Sequence, residues 1–356
     1  MKKKVIIWTT GIDNLLKGHG MVSGIAVQMM NWANVFFKNK WQVISLTDNK
    51  TITPSENNEI KFHIFKKIRF LNIIFEFFNT CIFIAKHKPH LIITRGASRQ
   101  LFAISLFSKL MRIKLILMFA SDSDLINGKE LIARPWDRWL FRLGLLNVSN
   151  FVVQNSKQEK LLRNRSPKSK LICIPNIWPY SSEGSQKRDI ILWVSNFREL
   201  KRPKWFIDLA RELPNLKFVM VGGALDQKLF EECKKKASYV HNLQFLGSCS
   251  LPMVNALFER ATLFVCTSEM EGFPNTFLQA WSNKIPVITT FDPSNLIQCK
   301  NLGVKVNSIG EAIDAINYYN NISFYNQTKN SITSYFEEQH LPQTQYQNLV
   351  TTFKIL

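Results

Sequence analysis

The sequence predicts an α/β protein made of two doubly wound, Rossmann-like domains facing across a cleft. Three observations predict it: short apolar strands alternating with longer amphipathic stretches, a single polar break near the middle, and a length of 356 residues. The alternation argues for parallel sheets covered by helices. The length fits two domains of roughly 150–180 residues each. A composition of 46% hydrophobic and 20% charged residues suits a chain with real cores.

In the first half the expected strands are Lys4–Trp8, Gln42–Thr47, Ile60–Phe65, Leu91–Thr94, Lys114–Met118, Phe151–Gln154 and Leu171–Ile174. Helices are expected over Val22–Lys38, Ile68–Lys86, Arg99–Met111, Pro135–Leu145 and Ser156–Asn164. Pro175, Asn176, Pro179 and the run SSEGSQKRD (Ser181–Asp189) then read as a linker. Beyond it the expected strands are Ile190–Ser195, Lys217–Val221, Leu243–Leu246, Leu263–Cys266 and Pro286–Thr289. Their helices are Pro203–Leu213, Asp226–Ser238, Pro252–Arg260 and Asn275–Trp281. The domains expected are 1–180, 181–335 and a C-terminal helix in 336–356 that crosses back to the first. Sheets of this kind bind ligands beyond the carboxyl ends of their strands.

The net charge of +20 is unevenly distributed: residues 1–180 carry 28 Lys/Arg against 10 Asp/Glu, whereas residues 181–356 carry 18 against 16. The basic first half points to nucleic acid, an anionic membrane face or a phosphate-bearing substrate. No nucleic-acid recognition module is present, so nucleic acid is not expected as a partner. The apolar run Phe70–Ala85 is interrupted by Asn72, Glu76 and Asn79 and flanked by lysines. It reads as an amphipathic helix, packed on the first sheet or lying in a membrane interface, and no stretch reads as a spanning helix. The six cysteines form no C-x-x-C pair and read as buried, reduced thiols.

Two constellations carry the chemistry. In VSNFRELKRPKWF (Val194–Phe206) a strand ends, a basic loop follows and Pro203 suits the first position of a helix. Arg198 and Lys201 then lie at a helix N-terminus, where exposed N–H groups already favour an anion such as a diphosphate. In SEMEGFPNTFLQAW (Ser268–Trp281) an apolar strand leads into a turn and a helix. Gly272 permits close backbone approach, Pro274 and Asn275 suit a helix start, and Asn275 and Gln279 share a face. Glu271, a carboxylate beside a phosphate-binding helix start, makes sense as an acceptor for sugar hydroxyls.

These segments resemble the retaining glycosyltransferases of family 4, which have the two-Rossmann GT-B fold and carry a Glu, seven residues and a second Glu in a stretch like SEMEGFPNTFLQAW. The resemblance implies that Arg198 and Lys201 hold the donor diphosphate and that Glu271 contacts the transferred sugar. It implies that the backbone of Phe273, Pro274, Asn275 and Thr276 faces sugar and phosphate. Val221–Gly223 resembles the family's strand ending in VGG, which adds Gly222 and Gly223 to the donor side. Met21–Thr47, with Ser23 and Gly24, resembles the first turn, helix and second strand, and FVVQNSKQEKLL and CIPNIW resemble the approach to the linker. There are three departures. Gln279 stands where the second Glu holds the donor ribose, Asn196 stands where a strand-end Arg is common, and Ser121 and Asp122 stand nearest to a His-Asp pair. Loss of charge assistance at Gln279 predicts donor binding weaker by about tenfold.

Asp122-Ser123-Asp124 is also a D-x-D triplet that could chelate a cation. It lies far in sequence from the phosphate elements, so neither a metal nor a cofactor is expected, and Ser23, Gly24, Ser121 and Asp122 are assigned to the acceptor side. His19 in Lys17–Gly20 reads as an ordinary loop histidine. The function expected is transfer of a sugar from a UDP- or GDP-linked donor to a glycan or lipid-linked acceptor. Its setting is surface polysaccharide or lipopolysaccharide synthesis in the cytoplasm, peripheral to the inner face of the membrane. The alternatives are a sugar-nucleotide epimerase and a degenerate, non-catalytic partner subunit. A nicotinamide oxidoreductase would need a G-x-G-x-x-G after a strand, which is missing.

Overall fold

A computed structural model describes residues 2–9, 23–47, 60–64, 73–181, 187–270 and 273–355. The chain divides into two compact units. The first holds the described residues up to Ile177 and takes back Pro342–Leu356, and the second is Trp178–Leu341.

The first unit is built on seven parallel strands: β1 (Lys4–Trp8), β2 (Gln42–Thr47), β3 (Lys61–Ile64), β4 (Leu91–Arg95), β5 (Lys114–Met118), β6 (Asn150–Val153) and β7 (Lys170–Cys173). Their order is β3-β2-β1-β4-β5-β6-β7. The doubly wound order reverses between β1 and β4, which pair in register from Val5↔Leu91 to Trp8↔Thr94. β1, β4 and β5 are buried almost throughout, so they read as unbroken apolar runs rather than alternating ones.

One face of this sheet packs on α1 (Gly24–Lys38), through Met29, Trp32, Ala33 and Phe36. The other face packs on α2 (Ile73–His87), α3 (Leu101–Leu110), α4 (Pro135–Leu145) and α5 (Ser156–Arg165). The second unit repeats the design with β8 (Ile190–Val194), β9 (Lys217–Val221), β10 (Leu243–Gly247), β11 (Ala261–Cys266), β12 (Val287–Thr289) and β13 (Gly303–Lys305). Their order is β10-β9-β8-β11-β12-β13, all parallel. The reversal here falls between β8 and β11.

Helices α6 (Pro203–Glu212), α7 (Gln227–Ala237), α8 (Leu251–Arg260) and α9 (Asn275–Ser282) follow the strands as expected to within a residue or two. Beyond them the chain forms the short α10 (Leu296–Cys299), then α11 (Ile309–Tyr319) and α12 (Ile322–Gln339). The last helix, α13, starts at Pro342 rather than at residue 336 and runs to Phe353. Proline lacks the N–H that would continue α12, and its fixed φ suits a helix start. Two thiols, Cys173 and Cys299, are exposed rather than buried. Cys173 ends β7, the last strand in the order of the first sheet among the described residues. Among the described residues no helix is long and apolar enough to cross a membrane.

Helix α13 completes the core of the first unit. Tyr346, Leu349, Val350 and Phe353 are buried against Phe36, Trp41 and the β1 face. The indole of Trp41 donates to the Tyr346 hydroxyl at 2.9 Å, and the Lys114 ammonium donates to the Phe353 carbonyl at 2.6 Å. Leu349 is fully buried. Leu349→Ala is therefore expected to destabilise the first unit by about 3 kcal/mol through lost transfer energy and a residual cavity. Urea unfolding followed by tryptophan fluorescence checks this.

Candidate functional site

The site builds upward from the reversal between β8 and β11, where the chain leaves two neighbouring strands in opposite directions around the sheet. After β8 it runs through Ser195 and Asn196 into a 3-10 turn, Glu199–Lys201, with Arg198 at its N-cap. Arg202 then adopts a left-handed conformation, φ 46° and ψ 52°, before Pro203 opens α6. Such a backbone costs about 1–3 kcal/mol outside glycine and persists only where its surroundings impose it.

The surroundings are the turn after β11. The Arg202 Nε–H donates to the Thr267 carbonyl at 2.8 Å. The Thr267 hydroxyl donates to the Lys201 carbonyl at 2.5 Å and accepts from the Trp193 indole at 2.9 Å. Two residues on, the Glu269 N–H donates to the Leu200 carbonyl at 2.9 Å. Thr267 and Ser268 are fully buried, and Thr290 donates to the Ser268 carbonyl at 2.7 Å. The basic turn and the 267–269 turn are thus fastened to each other from both sides. Arg198 remains exposed and Lys201 half-buried.

The turn after β9 is drawn into the same corner. A Cβ at Gly222 would lie 1.7 Å from the Ser195 carbonyl oxygen, so only glycine lets β8 and β9 finish this close together. The Gly223 N–H donates to the Asn196 side-chain oxygen at 3.3 Å. Where the resemblance implies an arginine, the short amide of Asn196 therefore steadies the Gly222-Gly223 turn.

Glu271 and Gly272 lie outside the described residues, as does His19. The chain resumes at Phe273, whose ring stacks on His340 at 5.6 Å and meets Trp281 at 6.1 Å. Pro274 is buried as the N-cap residue of α9, and Asn275 and Thr276 form its first turn with their side chains half-buried. Gln279, one turn on, is 5% exposed and donates through Nε2 to Asn255 Oδ1 on α8 at 2.9 Å. A second side chain thus shares the position where the resemblance implies ribose binding.

The residues assigned to the acceptor side belong to the first unit and have local partners. Ser23 caps α1, its hydroxyl accepting from the Ala26 N–H at 3.1 Å, and Gly24 is the first helical residue. Ser121 and Asp124 form a reciprocal capping box around a 3-10 turn, Asp122–Leu125. Asp122 pairs with Lys157 at 3.0 Å and accepts from Gln158 at 3.1 Å. Partial burial works to raise the Asp122 pKa, but the hydrogen bonds from Lys157 and Gln158 outweigh it and hold the carboxyl below its ordinary value. Burial raises the Asp124 pKa despite N–H donors at Ala120 and Ser121. The two carboxylates of the D-x-D triplet are therefore committed to different partners.

Three residues at the two reversals lack any mark in the sequence. Thr267 reads as the end of an apolar strand, and Arg202 reads as one more cation in a basic loop. Arg95 ends β4, where its guanidinium donates to Asn176 Oδ1 at 2.6 Å. Burial lowers the Arg95 pKa to about 10, and the neighbouring Asp124 works in the opposite direction. It keeps its charge at neutral pH, at the carboxyl end of the first sheet.

Residues 178–327 match the family described as "Glycosyl transferases group 1". An uncharacterized glycosyltransferase from Methanocaldococcus jannaschii is 25% identical over 234 residues, 58% of this chain. The alignment covers 57% of that protein, so the chain spans little more than half the length of the curated relative it matches. Among solved structures, a glycosyltransferase from Rickettsia africae superposes with a TM-score of 0.75 at 14% identity, covering 99% of this chain and 98% of the other. Anabaena HepE, solved with UDP and glucose, gives 0.71 at 14% identity over 100% of both chains. The fold is GT-B. The family match covers the fastened turns, β8 to β11 and α9.

Thr267→Val keeps the shape but removes the hydroxyl, which leaves the buried Trp193 indole N–H unpaired. A loss of about 2 kcal/mol in unfolding free energy is expected, with Thr267→Ser close to wild type. Denaturant titration of the three proteins checks this.

Proposed function

We propose that the chain is a retaining glycosyltransferase that takes a sugar from a nucleoside diphosphate, UDP or GDP, and places it on a glycan or lipid-linked saccharide. The observation that carries this reading is the fastening of the 198–202 turn to the 267–269 turn at the reversal of the second sheet. It sets Arg198 and Lys201 in a fixed frame beside the segment that leads to the start of α9. A diphosphate there gains two cations and faces the N–H groups at the start of α9. These groups are in place before the bond breaks, so they stabilise charge as it develops rather than reorganising to meet it.

In this reading the bond from the anomeric carbon to the β-phosphate oxygen breaks and the nucleoside diphosphate departs carrying the negative charge. The acceptor oxygen bonds to the anomeric carbon on the same face and gives up its proton to the departing diphosphate oxygen. Glu271 accepts hydrogen bonds from the sugar hydroxyls, and Gly222, Gly223 and the 273–276 backbone pack against the donor. Gln279 meets the ribose through its side-chain oxygen while its amide nitrogen stays on Asn255. Ser23, Gly24, Ser121 and Asp122 belong to the acceptor side, and the setting is surface polysaccharide synthesis at the cytoplasmic face of a membrane.

The test is calorimetric titration of UDP, GDP and their sugars, followed by nucleoside diphosphate release with acceptor present. Arg198→Ala and Lys201→Ala are each expected to lower kcat/KM by roughly 100-fold, the scale seen when a preorganised charge donor is removed. Activity unchanged in both variants would sink the assignment. Gln279→Glu is expected to tighten nucleotide binding by up to about tenfold, because Asn255 can turn its amide and donate to the new carboxylate.

A further inference from the structure

The helices covering the second face of the first sheet carry large apolar side chains outward. Helix α2 buries Glu76, Thr80 and Ile84, whereas Ile74 is 73% exposed, Ile82 63%, and Phe75 and Phe78 57% each. This is the reverse of an ordinary surface helix, whose apolar stripe faces the core. The inversion is enforced by ionic contacts. Arg99, just before α3, reaches Glu76 at 2.6 Å on α2 and Asp137 at 3.3 Å on α4, and Gln100 donates to Glu76 at 2.6 Å. With its one carboxylate held inward, α2 turns Phe75 and Phe78 out.

The neighbouring helices extend the same surface. Leu106 and Leu110 on α3 and Met111 after it are exposed, as are Trp136 and Trp139 on α4, whose rings meet edge to face at 5.9 Å. Where the three helices converge, a pocket of about 220 Å³ opens between Ile74, Phe77, Phe102 and Leu140. Scattered apolar residues on a surface need no explanation, but aromatic and branched residues collected on three stitched helices do.

Charge selects the occupant. The only carboxylates on α2, α3 and α4 are Glu76 and Asp137, and Arg99 closes both. Lys86, Lys88, Lys109, Arg112 and Arg134, on or beside these helices, are exposed. Two copies of such a surface would repel each other. A bilayer with anionic headgroups offers the complementary sign to the lysines and arginines. It offers its headgroup–acyl boundary to the tryptophans and phenylalanines.

We propose that this face of the first unit docks on an anionic lipid bilayer, with Trp136, Trp139, Phe75 and Phe78 entering the interface and the basic residues resting on the headgroups. Lipid binding is read without any sugar donor, so this proposal stands or falls apart from the transferase reading. The purified full chain would be sedimented with phosphatidylcholine vesicles, with and without phosphatidylglycerol. Binding is expected only with phosphatidylglycerol. Trp136→Ser/Trp139→Ser and Phe75→Ser/Phe78→Ser are each expected to weaken it by about tenfold or more, with unchanged thermal unfolding because the side chains are exposed. Lys109→Glu/Arg112→Glu is expected to weaken it at low salt. Wild type remaining in the supernatant with phosphatidylglycerol vesicles would overturn the proposal, as would apolar variants that bind undiminished. A dimer in equilibrium sedimentation that the same substitutions dissociate, without vesicle binding, would also overturn it.

Discussion

The second unit depends on a single threonine side chain and the carbonyl behind it. Thr267 takes a hydrogen bond from Trp193 inside the strand layer and gives one to Lys201, and its carbonyl holds Arg202. Each contact is ordinary, worth about 1 kcal/mol net, but they act together on two turns that would otherwise be free loops. Arg202 shows the effect most plainly, since its left-handed backbone is tolerable only while the guanidinium is anchored. A reversal in strand order provides a gap at the carboxyl ends of any doubly wound sheet. Here the fastening turns that gap into a rigid frame carrying two cations. The two glycines after β9 complete it, the first by letting backbones touch and the second by engaging Asn196.

Much of this was legible in the sequence, and the reason is physical. Parallel strands buried on both faces must be continuous apolar runs, so β1, β5 and β9 stand out with their bounds intact. Proline marks Pro203 and Pro274 because it fixes φ at a helix start, and glycine marks the turn after β9 because a side chain at Gly222 would meet the Ser195 carbonyl. The strand β13 was not legible, being three residues that end in Lys305. Neither were α11 and α12; in α12 the polar residues far outnumber the stripe it buries. Thr267 and Arg202 escaped for a different reason. Their partnership joins positions 65 residues apart, and nothing in either local segment signals it.

The orientation of α2 illustrates the same limit from the opposite side. Apolar residues fill ten of its fifteen positions, so periodicity alone names no buried stripe. Glu76 decides, because a buried carboxylate must be paired and Arg99 and Gln100 stand ready at the neighbouring helix start. An ion pair that contributes little net stability thereby determines which face of a helix meets solvent. The uneven charge of the chain fits the same division of labour: the basic excess lies with the first unit.

Helix α13 has an implication for how the protein is made. The first unit lacks Tyr346, Leu349, Val350 and Phe353 until residues beyond the entire second unit have emerged from the ribosome. Until then the pocket beside Phe36 and Trp41 is open, an apolar surface that a nascent chain must shield. The second unit, continuous from Trp178 to Leu341, can close its core earlier although its sequence is translated later.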